Sequence, residues 1–264
     1  MIILPPTAYS LLPFLTLPPW EIILCPMVIA VIPARWGSTR LPGKPLALIA
    51  GRPMIEHVYC RVRDARGVER VIVATDDERV AAEVRGFGGE AAMTGECRSG
   101  TDRIAQAVSK IECDIVINVQ GDEPLIPPQM VEDVVKPFSL DNTIMMASLK
   151  RAFRPEEDPA APQAVKVVTD LADNALYFSR SLVPFPRNPS EKGPFLHVGI
   201  YAYTRDFLMK FASWPSTPLE TAEGLEQLRA LERGYRIKVP TTEHFSFGVD
   251  TPEDLDRARR LLEQ

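Results

Sequence analysis

Residues 28–46 read VIAVIPARWGSTRLPGKPL, and the order of those letters decides the fold. The run Val28-Ile29-Ala30-Val31-Ile32 is apolar, short and β-branched, which marks a strand buried on both faces, as in a parallel sheet, rather than a helix. Pro33 ends the run, since it brings no N–H to a ladder. Beyond it Gly37 and Gly43, with Pro42 and Pro45, frame the cations Arg35, Arg40 and Lys44 at the carboxyl end of a first strand, where α/β sheets open their ligand crevice. Such a loop suits an anion. It matches neither common phosphate motif: there is no G-x-G-x-x-G, and the span from Gly37 to Gly43-Lys44 is one residue too long for G-x-x-x-x-G-K-[ST], with Pro45 where the hydroxyl belongs. A phosphate held here is held by another scheme, and the missing glycine fingerprint disfavours a dinucleotide oxidoreductase.

Outward from this stretch the chain alternates strand and helix. Pro53 is expected at the first position of a helix over 53–65, with Met54, Ile55, Val58 and Val62 at helical spacing. A strand over 68–74 runs into Thr75-Asp76-Asp77, which starts a helix reaching about residue 85. A short strand over 90–93 follows, and Ser99 or Thr101 caps a helix carrying Ile104, Ala107, Val108 and Ile111. The strand over 114–119 ends at Gln120-Gly121-Asp122-Glu123-Pro124, on the same sheet edge as the 35–44 loop, so both loops should face one crevice. After a helix over about 128–139 the regime changes: 143–151, 164–169, 174–179 and 195–204 are strand-like and separated by proline-rich turns, which predicts an antiparallel lobe at about 143–204. Helices near 205–212 and over 219–233, the latter closed by Gly234, and a strand over 235–240 complete the pattern. A last helix opens at Thr251-Pro252-Glu253-Asp254 and is expected to bury Leu255, Ala258, Leu261 and Leu262.

Composition bounds the function. With 264 residues, 45% of them hydrophobic, the chain can bury one large α/β core, and a net charge of −5 gives no reason to expect nucleic acid or an anionic membrane as partner. The cations of the 35–44 loop must then serve a small substrate. The four cysteines, Cys25, Cys60, Cys97 and Cys113, show no zinc spacing and no secreted disulfide framework, and read as reduced thiols in a cytoplasm. Residues 1–26 are apolar with only Glu21 charged, yet they lack a basic n-region and carry six prolines that would break a spanning helix. The simplest reading is a start codon assigned upstream of Met27, leaving the domain proper as 27–264.

Two acids stand out. Asp122 lies just past a buried strand and beside a glycine that admits substrate to the backbone, and Asp250 ends the apolar segment Phe247-Gly248-Val249 before a helix. Together they suit Mg²⁺, which takes one or two carboxylates plus phosphate oxygens and water; the alternatives are a turn aspartate and a helix-end acid. Glu123 is left without a role. Lys44 and Arg35, assisted by Arg40, would hold a phosphate-like anion, solvated surface cations being the alternative for any one of them alone.

The loop string Pro33-Ala34-Arg35 with Ser38-Thr39-Arg40-Leu41-Pro42-Gly43-Lys44-Pro45-Leu46 resembles the signature of the 3-deoxy-manno-octulosonate (Kdo) cytidylyltransferases. The resemblance continues in Ser99-Gly100-Thr101-Asp102-Arg103, Asn118-Val119-Gln120-Gly121-Asp122-Glu123-Pro124, Tyr177-Phe178-Ser179-Arg180, His197-Val198-Gly199-Ile200-Tyr201, Leu225-Glu226-Gln227-Leu228-Arg229 and Gly248-Val249-Asp250-Thr251-Pro252. The related CMP-sialic acid synthetases read Lys-Arg-Ile-Pro where this chain reads Thr39-Arg40-Leu41-Pro42. The resemblance implies a Rossmann-like nucleotidyltransferase fold, a mostly parallel α/β sheet with a smaller antiparallel lobe. It implies CTP and Kdo as substrates, CMP-Kdo and pyrophosphate as products, and Mg²⁺ on Asp122 and Asp250. It further implies a cytoplasmic homodimer serving lipopolysaccharide biosynthesis.

By the same resemblance, Pro33, Ala34, Ser99, Gly100, Arg103 and Gln120 join Arg35, Arg40, Lys44 and Asp122 around the nucleotide. A helix cap with a surface arginine remains the alternative for Ser99 and Arg103. Arg180, His197, Tyr201, Glu226 and Gln227 are implied around the sugar. Period-two spacing puts His197 and Tyr201 on one strand face, while adjacency on a helix would aim Glu226 and Gln227 about 100° apart. A packed, hydrogen-bonded core histidine is the other reading of His197. Another acidic sugar, or a nucleotide-binding protein without catalysis on the same fold, are the rival functions.

Overall fold

The computed structural model of the chain describes residues 26–37, 41–188 and 193–263, so the expectations for Arg40 and for residues 1–25 lie outside the described residues. In chain order the elements are β1 (Val28–Pro33), a 3-10 turn (Lys44–Leu46), β2 (Leu48–Ile49), β3 (Arg52–Pro53), α1 (Met54–Arg63), β4 (Arg70–Thr75), α2 (Glu78–Gly86), β5 (Glu90–Met93), α3 (Gly100–Val108), β6 (Ile115–Asn118) and α4 (Pro128–Leu140). Then come β7 (Met146–Ala152), β8 (Lys166–Thr169), β9 (Ala175–Ser179), β10 (Phe195–Thr204), α5 (Arg205–Ser213), α6 (Pro218–Glu223), α7 (Leu228–Glu232) and α8 (Pro252–Leu262).

The first half is a parallel sheet in the order β5-β4-β1-β6. The chain steps outward from β1 to β4 and β5, then returns to the other side of β1 as β6, so the topological switch falls between β1 and β6. Val28, Ala30 and Ile32 of β1 pack with α1, α2 and α4 on one face, and Ile29 and Val31 pack with α3 and α5 on the other. Burial on both faces is why the run is continuously apolar. Each such side chain gains roughly 1.5–3 kcal/mol from burial, against a whole β-propensity range of about 1 kcal/mol, so burial and not propensity places the strand.

The antiparallel strands continue the same sheet. β10 carries β7 along one edge and shares the other between two strands, pairing Phe195 and Leu196 with β8 and Tyr201 to Thr204 with β6. Between those pairings the register with β7 shifts at Val198 to Tyr201, a bulge. β2 and β3 form a separate antiparallel pair.

Most helix starts follow their expected caps: Asp77 and Ser99 accept from the backbone N–H of Arg79 and Asp102, and Thr251 forms a capping box with Asp254. Four details differ from expectation. Pro53 caps α1 rather than entering it, because its backbone is extended (ψ 144°) and paired with Leu48. The helix expected over 219–233 is broken, since Gly224 adopts φ +62° and ends α6. The segment expected as a strand at 235–240 runs beside β7 through single bridges and bonds such as Ser148 N–H to the Lys238 carbonyl, 2.8 Å. Leu261 is exposed, because α8 buries the face of Leu255, Ala258 and Leu262 against Ile49, Met54 and Val249.

Candidate active site

The loops after β1 and β6 enclose a cleft of about 630 Å³ at the switch point. Pro33, Ala34, Arg35, Lys44, Ser99, Gly100, Arg103, Gln120, Asp122 and Asp250 all line it, so the expected nucleotide and metal residues among those described come together in one place. Gly121 makes the approach possible: a Cβ there would stand 2.9 Å from the Pro33 carbonyl.

Lys44 is delivered by a tight turn. Gly43 precedes it at φ +68°, and a Cβ on Gly43 would meet the Trp36 ring at 3.0 Å. Trp36 is held in turn by the Arg79 guanidinium, 3.6 Å from its ring centroid. So braced, the Lys44 ammonium lies 2.5 Å from Asp122 Oδ2 and 2.9 Å from Asp250 Oδ1. The two acids are tied through the backbone as well, Val249 N–H donating to the Asp122 carbonyl at 2.8 Å. Two carboxylates that converge on one point fit a divalent, oxygen-seeking cation. Arg35 lies exposed at the cleft's edge and, among the described residues, has no carboxylate partner.

Ser99 does cap α3, its Oγ accepting from Asp102 N–H at 3.1 Å, while its residue also lines the cleft. Arg103 is buried rather than on the surface: it donates to Thr94 Oγ1 at 2.5 Å and to Asp76 Oδ2 at 2.6 Å. It therefore braces the cleft wall as well as lining it. Gln120 Nε2 reaches Asn118 Oδ1 at 3.2 Å and the Gly199 carbonyl at 3.4 Å, linking the cleft to the β10 bulge.

At that bulge His197 and Tyr201 share a face as the spacing predicts, with ring centroids 5.4 Å apart. His197 packs edge-on against Phe178, and its Nε2 lies 2.8 Å from Ser148 Oγ. Burial holds the imidazole neutral, with its pKa lowered to about 3, and pushes the Tyr201 hydroxyl above its ordinary range, Glu226 adding to the effect. The packed-histidine reading is thus realised, on the face expected for the sugar. Burial also pushes the Glu123 carboxyl up to about 7.

Glu226 and Gln227 lie in the turn between α6 and α7 rather than on one helix, because Gly224 has ended α6. Thr101 donates to Glu226 Oε2 at 2.5 Å, which joins this turn to α3. Gln227 Nε2 is buried without a hydrogen-bond partner, Gln227 as a whole being only 3% exposed, whereas Glu226 Oε1, which has no hydrogen bond, lies 3.5 Å from Arg229 Nη2 as an ion pair. An unmet polar atom at such depth calls for a polar ligand. Arg180 donates to the carbonyls of Glu223, Pro162 and Gly224 at 2.7, 3.1 and 3.3 Å, which uses three of its five N–H groups.

Three contributors escaped sequence reasoning. Arg98 lines the cleft beside Ser99, and its position next to the Ser99-Gly100 pair was an available signal. Thr101, buried, was read only as a cap. Ser148, a hydroxyl inside the buried strand β7, fills the gap of the bulge by lying within 3.1 Å of the Val198 carbonyl and 2.9 Å of the Ile200 carbonyl. A hydroxyl in an apolar strand must find a partner, but its own sequence does not say which.

A family model described as Cytidylyltransferase matches residues 29–237. The chain is 51% identical over 247 residues to the 3-deoxy-manno-octulosonate cytidylyltransferase of Geobacter sulfurreducens, covering 89% of this chain and 99% of that protein. It is 50% identical over 245 residues to that of Syntrophotalea carbinolica, covering 89% and 98%. Among solved structures, a CMP:2-keto-3-deoxy-manno-octonic acid synthetase complexed with CTP superposes with a TM-score of 0.86 at 47% identity, over 90% of this chain and 99% of the other. The 4-diphosphocytidyl-2C-methyl-D-erythritol synthase of Anaerococcus prevotii, at a TM-score of 0.60 and 13% identity over 91% and 97% of the two chains, shares the fold alone.

Proposed function

This chain belongs to the cytidylyltransferase family, among the 3-deoxy-manno-octulosonate cytidylyltransferases, and from that premise we propose how its cleft joins the two substrates. It activates Kdo with CTP, giving CMP-Kdo and pyrophosphate. The anomeric hydroxyl oxygen of Kdo forms a bond to the α-phosphorus, the bond from that phosphorus to the β-phosphate bridging oxygen breaks, pyrophosphate leaves with the electron pair, and the hydroxyl proton passes to solvent.

Lys44 and Arg35 hold the phosphates and meet the charge that builds on the departing pyrophosphate, a task for fixed cations rather than for a proton relay. Ser99, Gly100 and Gln120 line the base and ribose side of the cleft, with Arg103 bracing its wall. Asp122 and Asp250 would hold Mg²⁺, because their carboxylate oxygens already converge on a single cation, the Lys44 ammonium. When bound, Mg²⁺ would neutralise phosphate charge and lower the pKa of the sugar hydroxyl. Arg180, with two N–H groups left over, faces the sugar carboxylate, and Gln227 Nε2, without a hydrogen-bond partner, and the Glu226 carboxylate take its hydroxyls. His197 and Tyr201, both neutral, complete the pocket wall.

The observation that carries this reading is the meeting of Lys44, Asp122 and Asp250, from three separate parts of the chain, at the carboxyl edge of β1 and β6. The same reading makes the protein a cytoplasmic homodimer in lipopolysaccharide synthesis; no helix among the described residues is long and apolar enough to cross a membrane. Pyrophosphate release from CTP and Mg²⁺ with Kdo, and none with sialic acid or with UTP in place of CTP, is the expected result. Release with a different acid but not Kdo would overturn the sugar assignment, and CTP binding without release would overturn catalysis.

A further inference from the structure

Lys166, in β8, has no exposed surface, and its ammonium donates to the carbonyls of Ala161, at 3.1 Å, and Arg180. Among the described residues it has no carboxylate within ion-pair distance. A fully buried lysine without such a partner is costly, and burial accordingly lowers its pKa. Packing does not repay that cost, since a methionine would fill the same volume.

What surrounds the ammonium suggests its use. Arg180, whose carbonyl it holds, spreads its guanidinium over the carbonyls of Pro162, Glu223 and Gly224. The Glu223 carboxylate closes the arrangement, accepting from Arg180 N–H at 2.9 Å and from Ser179 Oγ at 2.7 Å. Three stretches of chain, at 161–162, 179–180 and 223–224, are thereby laced around one arginine. Asp158 and Glu223 act on Lys166 from either side of this knot, and the turn that follows carries Gln227 Nε2, buried without a hydrogen-bond partner. A braced guanidinium beside an unmet polar group suits a polyhydroxylated acid.

We infer that Lys166 and Glu223 are positioning residues for the acidic sugar: from opposite sides they fix Arg180 and the 223–227 turn, and so set affinity for the sugar carboxylate without touching the nucleotide. This rests on the reading of Arg180, Glu226 and Gln227 as the sugar-binding set.

The test is steady-state pyrophosphate release by the full chain and by Lys166→Met and Glu223→Gln, varying Kdo at saturating CTP and CTP at saturating Kdo. In each variant KM for Kdo should rise about ten-fold, the loss of one charge-assisted hydrogen bond, while kcat stays within about two-fold and KM for CTP is unchanged. An unaltered KM for Kdo, or a parallel rise in both KM values, overturns the inference. Should Lys166→Met fail to fold by circular dichroism, Glu223→Gln, whose side chain reaches the surface, decides alone by the same criteria. A wild-type protein that releases no pyrophosphate with Kdo overturns the underlying reading, and this inference with it; normal wild-type turnover with unchanged variants overturns the inference only.

Discussion

The cleft and the neighbouring region around His197, Tyr201 and Gln227, whose residues do not line it, solve opposite problems. On the side proposed for the nucleotide two sets of charged groups already answer one another: Lys44 bridges Asp122 and Asp250, and Arg103 is taken up by Asp76. On the side proposed for the sugar His197 and Tyr201 are half-buried and neutral, and Gln227 Nε2 is without a hydrogen-bond partner. The first can therefore exchange one set of charges for another when a triphosphate and a cation arrive. The second gains hydrogen bonds only when a ligand supplies them. Charge should govern rate in one, and the inventory of donors and acceptors should govern affinity in the other.

The sharpest way to break that contrast is Asp122→Asn, which keeps shape and removes charge. Turnover should fall roughly a thousand-fold with the melting temperature little changed; near-normal pyrophosphate release would end the metal role of Asp122. Next, Lys44→Met should cost about a hundred-fold in kcat/KM. It also leaves two carboxylates facing each other, so Mg²⁺ should raise its melting temperature more than that of the wild type, as differential scanning fluorimetry would record. A smaller and selective effect is expected in the neighbouring region: Gln227→Leu should raise KM for Kdo about ten-fold and leave KM for CTP alone. If both KM values moved together, the two regions would not be separable.

The smallest effect is on acid stability. His197 titrates near 6.5 when unfolded and at about 3 in the fold, so between those values the unfolded chain binds more protons and stability rises with pH. That penalty is absent above pH 6.5 and grows as pH falls toward 3. His197→Gln should flatten the acid limb of the stability curve by at most one proton, about 1.4 kcal/mol per pH unit. An unchanged slope in urea titrations across this range would show that the imidazole is not held neutral.

The convergence of the cleft residues was legible because its signals are local. A doubly buried strand announces itself as an apolar run, and Lys44 and Asp122 follow directly from where two such runs stop. The sugar side depends on exceptions. A helix over 219–233 carries Gly224 in its interior, where glycine costs about 1 kcal/mol, and that residue ends α6 before Glu226 and Gln227. The β10 bulge is set by its pairing with β7, which no single segment encodes. The alternative for Arg103, a surface arginine behind a helix cap, falls only when Asp76, 27 positions earlier, is brought beside it. Sequence periodicity reports one element at a time, and these features belong to pairs.

One strand, β10, is hydrogen-bonded to β8 at its start and to β6 at its end. It therefore fixes the spacing between those two parts of the sheet, with a rise of roughly 3.3 Å per residue that side-chain changes cannot stretch. On the proposed reading of the two regions, part of the entropy of bringing two reactants together is settled when the sheet folds.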